Sequence, residues 1–300
     1  MNLSLFSLTR NDKQGHMERK KIKKAKRIVI KVGASVLTVN VGNGRDRSLR
    51  LDERWIKNFA EQVAVLIKHG HQVVIVSSGA IAAGMGLFGM KKRPKSLPEQ
   101  QACAALGQGY LMKTYEEFFR KKGFHAAQIL LTWEDIREKR RYLNAENTLH
   151  TLLSKKAVPV INENDTVSVD EIKFGDNDKL SALVASLVSA DLLIMLTDVD
   201  GLYIDDRKTV VSVVGDISAS LEKFACGTDK ECSRGGMKTK LDAAKIAVKS
   251  GIDCIIANGR KKDVLLKILT GENIGTLFQA HKNKITGKDF YDNAINRVVL

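Results

Sequence analysis

Residues 157–165 read Ala-Val-Pro-Val-Ile-Asn-Glu-Asn-Asp, an apolar run that ends abruptly in four polar side chains. Five other apolar runs of similar character occur along the chain, at residues 28–32, 72–77, 123–131, 192–197 and 253–257. Continuous apolar runs are typical of strands covered on both faces, as in a parallel sheet between two layers of helices. The pattern therefore predicts an α/β fold, a three-layer α/β/α sandwich with a mainly parallel central sheet.

The segments between these runs have helical patterns. Helices are predicted at residues 52–68, 81–86, 99–121, 141–155, 178–189, 238–249 and 261–269. Residues 26–280 are expected to form a single domain. The polar, weakly patterned residues 281–300 are expected to form a peripheral tail.

The net charge of +15 is concentrated near the N-terminus. Residues 1–27 contain nine Lys or Arg against two acidic residues, a net charge of +7, which leaves +8 for the remaining 273 residues. Residues 1–25 are predicted to be a basic, disordered arm, and Met17 is an alternative start. Phe6 is the single aromatic residue of this arm, so it has no stacking platform for nucleic acid. A solvated arm is therefore favoured over an RNA-binding one.

Two other features limit the class of protein. No apolar run approaches the length of about 20 residues that crosses a membrane, so no membrane association is expected. The four cysteines lack the C-x-x-C spacing of zinc sites and are interpreted as reduced thiols of a cytoplasmic protein. They are Cys103, Cys226, Cys232 and Cys254.

A second polar cluster, Asp176-Asn177-Asp178, follows the first after an alternating stretch that predicts a hairpin with residues 170–171 as its loop. Such a hairpin places Asp165 opposite Asp176, with the Cβ atoms roughly 5 Å apart. Carboxylates at that distance repel each other unless a cation lies between them. The clusters thus predict a site for an ammonium group, a metal, or both. Asx turns and helix caps are the alternative explanation for each cluster alone.

Four strand ends carry glycines or small residues, where the N–H groups of a following helix can bind anions. They are residues 31–35, 77–80, 197–198 and 235–240. The P-loop pattern G-x-x-x-x-G-K-[ST] is absent. Gly84, Gly86 and Gly89 match G-x-G-x-x-G, but the match begins five residues after Gly79 at the strand end. A dinucleotide site is therefore rejected.

Six motifs together resemble the amino acid kinase family, and within it the members that phosphorylate glutamate, over residues from about 27 to 278. They are Ile30-Lys31-Val32-Gly33 with Ser35, the run from Val76 to Gly84, the run from Pro159 to Asp165, Gly175-Asp176-Asn177-Asp178 with Leu180-Ser181-Ala182, Leu196-Thr197-Asp198, and Gly235-Gly236-Met237 with Thr239-Lys240. The resemblance is to a form without the C-terminal PUA domain that many such members carry. Arg234 departs from the small residues usual before the glycine pair.

The resemblance implies a role for each matching residue. Lys31 and Lys240 would contact the transferring phosphoryl group, and Asp198 would orient these lysines. The residues implied along the nucleotide are Lys31, Thr197, Asp198, Gly235, Gly236, Met237, Lys238, Thr239 and Lys240. The residues expected to hold glutamate are Ser78, Gly79, Asp165 and Asn177, with Asp165 facing the ammonium and the Gly79 N–H groups suited to a carboxylate. No metal ligand is assigned to the protein.

The implied reaction is ATP- and Mg²⁺-dependent phosphorylation of the γ-carboxylate of L-glutamate, the first step of proline biosynthesis. This carboxylate has a reference pKa of about 4.3, so it is already a deprotonated nucleophile at pH 7. Positioning and positive charge are then sufficient, and no general base is required. A homo-oligomer and transfer of the product to glutamyl phosphate reductase are also expected. The alternatives are a kinase of the same fold for N-acetylglutamate or a nucleoside monophosphate, and a basic RNA-binding regulator.

Overall fold

The computed structural model describes residues 18–41, 48–167, 177–204, 209–219, 221 and 236–280. The chain divides into two compact units. The central unit is Lys31–Asn177, and the terminal unit combines Met1–Ile30 with Asp178–Leu300. The single domain expected for residues 26–280 stays a prediction.

The central unit is built around three parallel strands. Its strands are β2 (Thr38–Val41), β3 (Ser48–Leu51), β4 (Gln72–Ser77), β5 (Ala126–Leu131) and β6 (Val158–Glu163). Strand β6 lies between β4 and β5 and is parallel to both, with Val160 opposite Ile75 on one side and Gln128 on the other. Strands β2 and β3 form a separate antiparallel pair that the sequence analysis did not predict.

Helices of the central unit follow these strands. They are α1 (Ala34–Leu37), α2 (Glu53–Lys68), α3 (Ala80–Leu87), α4 (Leu97–Arg120), α5 (Trp133–Arg137) and α6 (Lys139–Ser154). Helix α2 begins where the Asp52 carboxylate accepts a bond from the Trp55 N–H at 3.0 Å. Its buried stripe of Ile56, Phe59 and Val63 has the 3–4 residue spacing of an amphipathic helix.

The terminal unit contains the other half of the apolar runs. Its strands are β1 (Arg27–Val32), β7 (Leu192–Thr197), β8 (Tyr203–Ile204), β9 (Thr209–Val210), β10 (Val213–Val214), β11 (Asp253–Asn258) and β12 (Thr276–Phe278). The boundary between the units falls within β1, after Ile30. The sheet order is β10-β12-β11-β7-β1, with β7 parallel to β11 and β12 antiparallel to β11. Its helices are α7 (Asn177–Leu187), α8 (Met237–Lys249) and α9 (Val264–Leu269). The first residue of α7, Asn177, belongs to the central unit, and the rest of the helix belongs to the terminal unit.

The predicted fold class, a mainly parallel central sheet with helices on both faces, is confirmed. The strands predicted at 72–77 and 192–197 have the bounds of β4 and β7, and the other predicted elements differ by a few residues at their ends. Residues 168–176 of the predicted hairpin, residues 1–17 with Met17, and the predicted tail at 281–300 lie outside the described residues.

The predicted solvated arm differs from the structure in its last part, because residues 18–22 are helical and packed on the terminal unit. Arg19 is 1% exposed, and its guanidinium donates to the carbonyl oxygens of Ser212 at 2.7 Å, Ile274 at 2.9 Å and Gly275 at 2.7 Å. Ile22 is buried as well. The basic composition concealed this contact, since a buried arginine and a solvated one look alike in sequence.

Candidate active site

Helix α3 begins in the central unit directly after strand β4, and the turn between them is made by Ser78 and Gly79. Gly79 has a φ of 101°, a left-handed conformation that glycine adopts without strain. The first N–H groups of α3 have no partner within the helix, so this turn offers donors to an anionic group. The predicted role of Gly79 toward a carboxylate thus has suitable local chemistry.

Close packing of α3 against α4 holds this turn in place. A Cβ atom on Gly84 would lie 1.9 Å from the carbonyl oxygen of Cys103, and one on Gly107 would lie 1.9 Å from that of Ala80. Both glycines are therefore required where the two helix backbones approach each other. Gly84 has a packing function, which agrees with the rejection of a dinucleotide motif.

Ser78 and Asn177, two of the predicted substrate residues, lie together in the central unit. The Asn177 amide nitrogen donates to Ser78 Oγ at 3.0 Å, to the Ser77 carbonyl oxygen at 3.2 Å and to Asn162 Oδ1 at 2.8 Å. Asn162 belongs to the polar cluster that begins at the end of β6 but was not assigned to the site from sequence. Its place at the end of a buried strand was the available signal.

The Asn177 carbonyl oxygen is the exceptional atom of this cluster. Asn177 is buried, and among the described residues its Oδ1 has no hydrogen-bond partner. A buried acceptor left without a donor typically costs about 1–3 kcal/mol. Such an atom beside the Ser78 hydroxyl, which accepts from Asn177 Nδ2, is suited to a ligand that brings a hydrogen-bond donor, as an ammonium group does.

Asp165 follows β6 by two residues and is half-buried. Burial raises the pKa of its carboxyl group to about 6, and the charge of Arg93 opposes this rise. A carboxylate taken out of water without a close cation is stabilised when a cationic ligand binds. The proposed pairing with a substrate ammonium stays a prediction, since Asp176 lies outside the described residues.

The terminal unit contains a second cluster, around Asp178 in the first turn of α7. Its Oδ2 accepts from the Thr239 hydroxyl at 2.9 Å and pairs with Lys240 Nζ at 3.2 Å. Asp178 and Lys240 are both buried. Asp178 was not predicted as a site residue, although it is the last carboxylate of the second polar cluster and is followed by an apolar helix.

The other nucleotide-binding candidates occupy strand ends and a helix start. Thr197, at the end of β7, donates its hydroxyl to the exposed Asp198 carboxylate at 3.0 Å. The carboxylate that contacts Lys240 Nζ in the structure is that of Asp178. The role of Asp198 in orienting the two lysines stays a prediction. Helix α8 begins after Gly236 without a side-chain cap, so Met237, Lys238 and Thr239 form its first turn. Gly235 lies outside the described residues.

Lys31 is the first residue of the central unit and is buried near the end of β1. Within the described ranges, no group of three or more His, Cys, Asp or Glu side chains is arranged to hold a metal ion. No helix in the part of the chain that the structure describes is both long and apolar enough to cross a bilayer.

The buried Lys240 beside the Thr239 hydroxyl, and separately the buried amides of Asn162 and Asn177, are features on an α/β fold that agree with a small-molecule kinase. The model of the amino acid kinase family matches residues 26–258, and the chain belongs to this family. The expected family is thereby confirmed.

Curated relatives narrow the comparison. The chain is 49% identical over 267 residues to the glutamate 5-kinase of Citrifermentans bemidjiense, covering 87% of this chain and 70% of that protein. It is 46% identical over 263 residues to the glutamate 5-kinase of Clostridium acetobutylicum, covering 86% of this chain and 96% of that protein. The crystal structure of UMP kinase from Bacillus anthracis has a TM-score of 0.53 and 16% identity, covering 85% of this chain and 96% of the other, a similarity of fold alone.

Proposed function

We propose that this protein transfers the γ-phosphoryl group of ATP to the γ-carboxylate of L-glutamate, giving L-glutamyl 5-phosphate, as in the first step of proline biosynthesis. The observation that carries this proposal is the buried Oδ1 of Asn177, which has no hydrogen-bond partner among the residues that the structure describes and lies beside Ser78. The similarity to glutamate 5-kinases over most of the chain supports the same reaction.

The central unit would bind glutamate. Its α-ammonium group would donate to Asn177 Oδ1 and pair with the Asp165 carboxylate, whose pKa is raised by burial. The Ser78 hydroxyl and the free N–H groups after Gly79 would bind a substrate carboxylate. Binding through these groups favours a free amino acid, because Asn177 Oδ1 needs a hydrogen-bond donor and the Asp165 carboxylate pairs best with a charged ammonium group.

The terminal unit would bind the nucleotide. Lys240 and the Thr239 hydroxyl suit phosphate oxygens, and Asp178 holds both of these side chains by one carboxylate oxygen. The described residues form no metal cage, and their chemistry fits Mg²⁺ that enters with ATP, since this ion commonly keeps water and phosphate ligands. Mg²⁺ would neutralise phosphate charge when bound.

The reaction forms one bond and breaks one. A γ-carboxylate oxygen of glutamate attacks the γ-phosphorus, the bond from phosphorus to the β–γ bridging oxygen breaks, and ADP leaves with that electron pair. Charge grows on the bridging and equatorial oxygens, where the Lys240 and Lys31 ammonium groups would stabilise it. The protein therefore contributes position and positive charge, and no residue has to remove a proton.

Further parts of the proposal concern the cellular setting. Cys103 and Cys254 are free, buried thiols, which agrees with a reduced, cytoplasmic environment. A homo-oligomer and delivery of the unstable acyl phosphate to glutamyl phosphate reductase are proposed with it.

A substrate panel tests the proposal. ADP release should depend on L-glutamate and remain at background with N-acetylglutamate or UMP at equal concentration. Hydroxylamine should trap the glutamate product as a hydroxamate. ADP release that follows UMP or N-acetylglutamate instead would assign the chain to another activity of the same fold.

A further inference from the structure

A chain of side-chain amides runs through the interior of the central unit and ends at Asn177. Gln128 Oε1 accepts from Gln108 Nε2 at 3.0 Å, and Gln108 Oε1 accepts from Asn162 Nδ2 at 3.0 Å. Asn162 Oδ1 in turn accepts from Asn177 Nδ2 at 2.8 Å. The four amides, from β5, α4, β6 and the start of α7, thus point their donors and acceptors in one consistent direction.

Two backbone groups set this direction. The Glu163 N–H donates to Asn162 Oδ1 at 2.9 Å, and an N–H group has no ability to accept. The Ser77 carbonyl oxygen accepts from Asn177 Nδ2 at 3.2 Å, and a carbonyl has no ability to donate. Turning either asparagine amide by 180° would place oxygen against oxygen or N–H against N–H. Together with the Gln108 acceptor for Asn162, these backbone groups favour one orientation, in which Asn177 Oδ1 faces away from the chain of amides.

We infer that Gln108 is a positioning residue for substrate selection, acting through Asn162 to hold Asn177 Oδ1 toward the ligand. The inference rests on the proposed binding of glutamate at Asn177. Gln108 supplies an acceptor for Asn162 Nδ2, and Asn162 is 3% exposed, so water has little access to replace it. Without Gln108, the Asn162 amide gains by turning toward another acceptor, and its Oδ1 then moves away from Asn177.

Loss of Gln108 and loss of Gln128 should affect glutamate binding to different degrees, because the two side chains lie at different positions in the chain of amides. Gln108 lies in α4 and is 9% exposed, whereas Gln128 is exposed on β5, a strand at the end of the sheet order. Water can replace the Gln128 amide at its outer end, but a missing Gln108 interrupts the chain in the interior. The Gln128 amide is also free to rotate and present its NH₂ group to a carboxylate at position 108.

The test compares Gln108→Met, Gln108→Glu and Gln62→Met in the full-length protein, with hydroxamate formation as the assay. Gln108→Met keeps the size and removes both polar atoms, so the glutamate KM should rise about tenfold while the ATP KM and kcat change less than about twofold. Gln108→Glu retains the acceptor for Asn162 and should restore most of the wild-type glutamate KM. Gln62→Met makes the same chemical change on α2, outside the chain of amides, where the amide donates to the Asn58 carbonyl oxygen at 3.5 Å, and should match wild type.

Selectivity gives a readout that a general loss of packing would not change. (S)-2-Hydroxyglutarate replaces the ammonium by a hydroxyl, and the wild-type preference for glutamate over this analogue should narrow several-fold in Gln108→Met. An unchanged preference with an unchanged glutamate KM, or equal losses for ATP and glutamate that Gln108→Glu does not repair, would overturn the positioning role. Absence of glutamate-dependent hydroxamate from the wild-type protein would instead refute the proposed function, and the positioning role with it.

Discussion

Asp165 allows a quantitative pH prediction for glutamate binding. Its pKa in the ligand-free protein is about 6, raised by burial. A group with that pKa is roughly nine-tenths ionised at pH 7 and roughly one-tenth ionised at pH 5. The substrate's γ-carboxylate, with a reference pKa of about 4.3, stays mostly ionised over this range. The value of kcat/KM for glutamate should therefore fall below pH 6 with a slope approaching one, since this parameter reports the free enzyme.

Substitution of Asp165 by Asn keeps the shape and removes the charge. A charge-assisted contact contributes about 1.5–3 kcal/mol, so the glutamate KM at pH 7.5 should rise about tenfold to a hundredfold. The ATP KM should stay within about twofold, and the decline of kcat/KM below pH 6 should disappear. Asp216→Asn, an exposed carboxylate in a loop of the terminal unit, is the matched control and should behave as wild type.

The same pKa predicts an opposite effect on stability. The folded-state pKa lies above the reference value of 3.8, so ionised Asp165 destabilises the ligand-free fold at every pH above about 6. This penalty decreases as the pH falls through 6 toward the unfolded value. Asp165→Asn should therefore stabilise the ligand-free protein by roughly 2 kcal/mol at pH 7.5 and by much less at pH 4.5. Urea denaturation at both pH values measures this difference.

Two results would refute this reasoning. One is a rise in the ATP or Mg²⁺ requirement of Asp165→Asn without a change in glutamate KM, which would make the polar cluster a metal site. The other is a wild-type pH profile for glutamate that is retained in the Asn variant, which would assign the titration to another group.

Three further predictions concern other described contacts. Lys31→Ala and Lys240→Ala should each lower kcat by two or more decades, since one lost transition-state contact costs about 3–4 kcal/mol. Circular dichroism should show an intact fold in both variants. A variant with near-wild-type turnover would show that its lysine has no part in the mechanism. Asp178→Asn removes the negative charge that lies 3.2 Å from the buried Lys240 ammonium and should lower the free energy of unfolding, measured in urea, by about 3 kcal/mol. The double variant with Lys240→Met should recover stability. Arg19→Met should lower the free energy of unfolding by about 2–3 kcal/mol, whereas deletion of residues 1–17 should not change it. If wild type, Arg19→Met and the deletion variant were equally stable, the hydrogen bonds of Arg19 would contribute nothing to stability.

The sequence was sufficient for the features that depend on local pattern. Apolar runs predicted the strands because these are covered on both faces, and Ser78 and Asn177 were assigned to the substrate through the motifs that resemble the amino acid kinase family. The structure confirms that these two side chains meet.

Features that depend on contacts distant in sequence were not predicted. Gln108 lies in a helix, where a glutamine is indistinguishable by pattern from a surface residue, and its partner Asn162 is 54 positions away. Arg19 was assigned to a solvated arm because its carbonyl partners, such as Ile274 and Gly275, offer no side-chain signal. The match of Asp178 with Lys240 needed the fold, since the two are 62 positions apart.

The most direct test of the central claim follows an oxygen atom. The protein is supplied with ATP and L-glutamate labelled with ¹⁸O in the γ-carboxylate, and hydroxylamine then cleaves the acyl phosphate at the acyl carbon. Because the carboxylate oxygen attacks phosphorus, each phosphate released should contain one ¹⁸O atom, detected by its ³¹P chemical shift. Phosphate without ¹⁸O, formed at the same rate as ADP, would show that water is the acceptor and would contradict phosphorylation of glutamate.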